Sequence, residues 1–256
     1  MTEVIRRAEP VMGTVVSFHI RPGDADRSAV FLALAEARAM LHRADAVFST
    51  WKPHSPMSRL RRGEIGLESA PPEVAEVLER CREARDRSGG WFDPWAMPGG
   101  VDPTGLVKGW AAGRALQVLA ATGVGGAMVS AGGDLAVCGS PEPGQRWRIG
   151  IQNPFDRDTM VAVAEPDRAI ATSGSYERGL HVIDPHTGEA VSAVASASVT
   201  GPDLGMADAL ATGLLAGGIS ALAAVEAFEG YEALLVGHDG SFRTTAGFPL
   251  VPAGTG

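Results

Sequence analysis

The stretch that decides the fold is Ser198-Val-Thr-Gly-Pro-Asp-Leu-Gly-Met-Ala-Asp-Ala-Leu-Ala-Thr-Gly-Leu-Leu-Ala-Gly-Gly218. Ser198 to Thr200 reads as a short strand, and a helix follows from Met206. From Ala209 to Val225 the chain carries no charge, a run of about 17 residues that is borderline for crossing a membrane. Gly213, Gly217 and Gly218 interrupt that run, and Asp208 stands at its start. The pattern therefore predicts two buried helices separated by a glycine turn, the second over Ser220 to Phe228, in a soluble protein.

Outward from this stretch the elements are mixed. Val16, Phe18 and Ile20 share one face of a strand over Thr14 to Ile20, with Ser17 and His19 on the other. Asp26 to Phe48 carries Val30, Leu34, Ala37, Leu41 and Phe48 near helical spacing. Pro72 opens a second helix that ends near Gly89-Gly90, and Trp91 to Gly105, rich in Gly and Pro, reads as irregular. A helix is expected over Lys108 to Ala121. Short strands are expected at Ala127 to Ser130, Arg146 to Ile151, Met160 to Val163, His181 to Ile183, Ala233 to Gly237 and Phe242 to Thr244. Strands and helices without strict alternation predict an α+β fold.

The 256 residues allow one large domain or two intimately packed subdomains. A net charge of −8 without a basic run argues against nucleic acid as a partner. Cys81 and Cys138 show no disulfide or zinc spacing and read as small core hydrophobes. Met1 to Pro10 is charged and lacks an apolar segment, so no leader peptide, no membrane insertion and a cytoplasmic setting are expected. The tail from Val251 is expected to fray.

Five constellations could carry chemistry. Asp208 and Thr212, four apart, share a helix face in apolar surroundings. A carboxylate there needs a partner or a cation, and a hard oxygen pair suits Mg²⁺. A helix N-cap explains Asp208 equally simply. Asp102-Pro-Thr-Gly-Leu-Val-Lys108 could cradle phosphate at a helix start, or be a plain loop-to-helix turn. Gly132-Gly-Asp134 either lets a ligand approach the backbone or makes a tight turn. His181, ahead of an Asp-Pro turn, could be an acid/base or an ordinary surface histidine; His186 within that turn reads as structural. Trp51, in a Ser/Pro-rich loop, could stack on a planar ring or plug the core.

The order of motifs is more telling than any one of them. Glu9-Pro-Val-Met-Gly-Thr14, Phe48-Ser-Thr-Trp-Lys-Pro53, Phe92-Asp-Pro94 and Asp102 to Gly109 are followed by Gly132-Gly-Asp134. Trp147 to Pro154, Thr172-Ser-Gly-Ser-Tyr176, His181-Val-Ile-Asp-Pro-His-Thr-Gly188, Ser198-Val-Thr200 and Ala207-Asp-Ala-Leu-Ala-Thr212 complete the series. The succession resembles the FAD:protein FMN transferase (ApbE-like flavin transferase) family from about Pro10 to Gly218. The resemblance implies a single flavin transferase domain over residues 1–256, with mixed sheets and flanking helices. It implies transfer of the FMN half of FAD to a Ser/Thr hydroxyl of an acceptor protein, with AMP leaving. By analogy Met12, Trp51, Phe92, Asp102, Lys108 and Ile183 contact FAD. Gly105 (through its carbonyl), Asp208 and Thr212 hold Mg²⁺, and His181 or Asp93 takes the hydroxyl proton.

Two departures bear on activity. The segment from Trp95 to Val101 is shorter than the family pattern, and Ala211 stands where some members carry a second acid. Two alternatives stay open on these grounds: a Mg²⁺-dependent FAD pyrophosphatase giving FMN and AMP, or a non-catalytic FAD carrier.

Overall fold

The computed structural model describes residues 4–174, 182–191 and 193–252. Its strands are β1 (Ile5–Val11), β2 (Thr14–Arg21), β3 (Gly126–Ala131), β4 (Asp134–Gly139), β5 (Ile149–Asn153), β6 (Asp156–Ala164), β7 (Ala169–Gly174), β8 (Ser196–Gly201), β9 (Glu232–Val236) and β10 (Phe242–Thr244). Eight of them form one sheet in the order β1-β2-β3-β4-β7-β8-β9-β10, and β5 and β6 pair as a separate hairpin. The expected α+β class holds; within it the described pairings are antiparallel throughout rather than mixed.

The helices are α1 (Arg27–Phe48), α2 (Pro56–Arg61), α3 (Pro72–Arg87), α4 (Thr104–Ala120), α5 (Leu204–Gly217) and α6 (Ile219–Glu226). Val30, Ala33, Leu34, Ala37, Leu41, Ala44 and Val47 give α1 one buried stripe, and its exposed N-cap, Asp26, accepts a bond from the Ser28 amide at 3.0 Å. Helix α4 lies on β3 and β4, α5 lies on β7 and β8, and α1 covers α4 from outside. The two inner helices approach closely because Gly109 faces the Leu204 carbonyl: a Cβ there would stand 2.5 Å from that oxygen.

Period-2 alternation sends successive residues to opposite faces of the sheet. Along β9, Ala233 and Leu235 enter the large helix-side core, whereas Leu234 and Val236 join a smaller cluster on the far face. Ile170 of β7, Ile149, Ile151 and Ala164 of the β5–β6 hairpin, and Phe248 of the C-terminal segment complete that cluster.

Several expectations need correction. Helix α4 begins four residues before Lys108, because Asp102 Oδ1 accepts the Thr104 amide at 3.0 Å and fixes the first turn inside the Gly/Pro-rich segment. Ile183 forms only an isolated bridge to Ala190, not a strand, and His181 lies outside the described residues. Pairing reaches into the expected tail, where the Val251 amide bonds the Val163 carbonyl at 2.8 Å. The long apolar run is indeed two helices parted at Gly218, and no described helix is long and apolar enough to cross a membrane.

Candidate functional site

A cavity of ≈ 760 Å³ opens where the β1–β2 turn, the end of α1, the 91–97 segment, the start of α4, the end of β7 and α5 converge. That size suits a small-molecule ligand. Met12, Trp51, Phe92, Asp93, Asp102, Gly105, Lys108, Ile183, Asp208 and Thr212 all line it. These are ten of the eleven candidate residues; the eleventh, His181, lies outside the described residues.

The polar floor comes from the two inner helices. Asp208 is 4% exposed, and the N-cap of α5 is Asp203, whose carboxylate accepts the Met206 amide at 2.9 Å. The capping explanation of Asp208 is therefore wrong: it sits in the second turn, pointing into the cavity with Thr212 one turn on. Thr212 Oγ1 is 3.4 Å from Ser173 Oγ, on β7. Gly105 lies across from Thr212: a Cβ added there would be 3.6 Å from Thr212 Oγ1 and 3.1 Å from Phe92 Cε2.

Lys108 belongs to the second turn of α4, not the first. Its ammonium pairs with Asp134 and stands 3.7 Å from Asp208 Oδ2. Asp134 is fully buried, and its other oxygen accepts the Thr172 amide at 3.0 Å. Asp134 thus ties α4 to β7. Sequence reading placed it only in a glycine turn. That turn is a two-residue β3–β4 connection with both glycines at positive φ, and it does not line the cavity. The neighbouring β1–β2 turn does line it, and there Met12 itself takes φ 55. A non-glycine residue in that region costs on the order of 1 kcal/mol and is enriched at functional sites.

The remaining wall is held by local bonds. Asp93 Oδ1 accepts the Trp95 amide at 2.8 Å and caps a short 3-10 turn. Arg61 secures the 95–102 segment by donating to the Pro98 carbonyl (2.8 Å), the Gly99 carbonyl (3.2 Å) and Asp102 Oδ2 (3.3 Å). Trp51 is 92% exposed at the rim, so it does not plug the core. In the Asp-Pro turn, the His186 amide donates to Asp184 Oδ1 at 2.8 Å and holds that carboxyl below its usual range.

Among the described residues no three His, Cys, Asp or Glu side chains cluster as a metal site. Among the described residues, the Asp208 carboxylate and the Thr212 and Ser173 hydroxyls are oxygen donors on this part of the wall. This hard-oxygen set fits an ion such as Mg²⁺, which keeps positions for water and phosphate oxygens.

The ApbE family profile matches residues 12–100 and 97–235, most of the chain and all the described residues of this wall. The chain belongs to the ApbE family. Relatives named FAD:protein FMN transferase include one from Salmonella typhimurium, 33% identical over 172 residues (62% of this chain, 49% of the relative). A second, from Rhodobacter capsulatus, is 35% identical over 156 residues (57% and 29%). The chain spans about half or less of the length of these curated relatives. The fold matches that of the flavin transferase ApbE from Vibrio cholerae with a TM-score of 0.79 at 24% identity, covering 95% of this chain and 96% of that one. It matches the ApbE protein of Thermotoga maritima with a TM-score of 0.80 at 21% identity, covering 95% and 97%.

Proposed function

We propose that this ApbE-family chain cleaves FAD and transfers its FMN half to a Ser or Thr hydroxyl of an acceptor protein. One observation carries the reading most: the buried Asp208 carboxylate and Thr212 hydroxyl face the same cavity as Lys108 and the exposed Trp51 ring. A flavin dinucleotide has matching parts, a planar ring for Trp51 to stack on and a pyrophosphate for the charged floor. The names of the relatives point the same way.

Asp208, Thr212 and the Gly105 carbonyl would hold Mg²⁺, which when bound neutralises pyrophosphate charge and sharpens the electrophilicity of phosphorus. Met12, Phe92, Asp102 and Ile183 would orient the nucleotide, and Lys108 would add a positive charge. The acceptor hydroxyl oxygen bonds to the FMN phosphorus as the bond from that phosphorus to the bridging oxygen breaks, and AMP departs with that oxygen. The hydroxyl proton passes to His181 or to Asp93, whose capped geometry holds one oxygen toward the Trp95 amide. Such chemistry is mostly positioning and charge stabilisation.

The test is mass spectrometry of proteins co-expressed with the chain, together with assay of AMP and free FMN from FAD and Mg²⁺. Transfer predicts an FMN-modified acceptor, with AMP released in step. Free FMN in place of an adduct would make the chain a pyrophosphatase, and FAD bound without turnover would make it a carrier.

A further inference from the structure

We infer that Asp134 is a positioning residue that holds the Lys108 ammonium off Asp208 and so keeps the proposed metal position open to a divalent cation. The inference rests on the metal reading of Asp208 and Thr212 and adds to it a residue outside the cavity wall.

Three charged groups are linked at the cavity floor: Asp134 on β4, behind the wall, and Lys108 on α4 and Asp208 on α5, which line it. Lys108 is shared unequally. It is in direct contact with Asp134 and 3.7 Å from Asp208 Oδ2. Asp134 is itself fixed by the Thr172 amide at 3.0 Å and has no exposure through which to move. Asp208 has little more, at 4%. In such a low-dielectric setting an ammonium pairs with whichever carboxylate is within reach. Lys108, on a flexible four-carbon stem, is the mobile member. Without the Asp134 charge, the ammonium's neighbouring carboxylate among the described residues is Asp208, and a cation arriving there must displace it.

Asp134→Asn isolates the effect, because the amide oxygen can still accept the Thr172 amide while the charge is lost. The readout is binding of Mn²⁺ to the full chain without flavin, followed by electron paramagnetic resonance and calorimetry. The expected result is an Mn²⁺ Kd weaker by about 10- to 100-fold, the range for residues that orient metal ligands. Adding Lys108→Met to Asp134→Asn should restore Kd to within about threefold of the parent chain, a rescue that a purely structural role for Asp134 would not produce. The double variant removes the buried Asp134 charge together with its partly buried partner, which proteins usually tolerate. Should the single variant fail to fold, Lys108→Met alone serves: it must not weaken Mn²⁺ binding. Unchanged affinity in Asp134→Asn, or no rescue in the double variant, overturns the inference. Asp208→Ala is the control for the underlying reading: if it leaves Mn²⁺ binding intact, the metal assignment itself fails, whatever Asp134 does.

Discussion

The two faces of the central sheet are built to different rules, although the same strands make both. On the far face, Ile170, Leu234 and Val236 pack with Ile149, Ile151 and Phe248 into an apolar cluster. On the helix face, the strand end that carries Ala171 also carries Ser173, and the large core is cut by Asp134, Lys108 and Asp208. Burying one Leu or Ile contributes about 1.5–3 kcal/mol, whereas burying a carboxylate costs stability unless it is compensated. Strand alternation lets the chain confine that cost to one side of a single layer. The far-face cluster is wholly apolar, whereas the helix face carries both the larger core and the proposed chemistry.

That division can be broken experimentally. The largest effect should come from Asp208→Ala, which is expected to reduce AMP formation from FAD and Mg²⁺ by about a thousandfold, several kcal/mol of lost charge stabilisation. Its thermal melting should stay close to that of the parent chain, since a buried charge is removed. Leu234→Ala should do the reverse: a loss of about 2–5 kcal/mol in denaturant unfolding, with the FAD affinity of the folded fraction unchanged. If Leu234→Ala abolished FAD binding in folded protein, the two faces would not be separable. Gly105→Ala sharpens the comparison on the helix face. The new methyl would enter the gap between the Phe92 ring and the Thr212 hydroxyl, 3.1 and 3.6 Å away, and should weaken FAD binding about tenfold in a fluorescence titration.

A smaller effect concerns the two thiols. Burial pushes the Cys81 thiol up to about 12 and raises Cys138 less severely. Native Cys81 should resist a thiol reagent at pH 8 while the half-buried Cys138 reacts slowly. Because the folded state keeps Cys81 protonated, its contribution to stability is complete below the unfolded value near 9.0 and declines as pH rises toward 12. Alkaline unfolding curves of the parent and Cys81→Ala would show whether that decline disappears.

Much of this was legible from residues alone where one period dominated. The α1 stripe, the Val16-Phe18-Ile20 face and the paired helices around Gly218 are all strongly patterned and were found. Strand β1 was missed because Arg6, Arg7, Glu9 and Pro10 give it the look of a charged loop, although Pro is tolerated at an edge. Strand β7 was missed because Thr172-Ser-Gly174 has turn composition and only its position between β4 and β8 makes it a strand. Asp134 was hidden for a different reason. Its partners, Lys108 and Thr172, are 26 and 38 residues away, and no local spacing records such a tie. The candidate wall was legible through the order of its motifs, whereas the ion pair beneath it required the fold.

The most direct measurement is a calorimetric titration of FAD into the parent chain and Asp208→Ala, each with and without Mg²⁺. The account predicts saturable uptake by the parent chain that tightens when Mg²⁺ is present, and loss of that Mg²⁺ dependence in the variant. No heat of FAD binding to the parent chain, or identical Mg²⁺ dependence in both proteins, would contradict it.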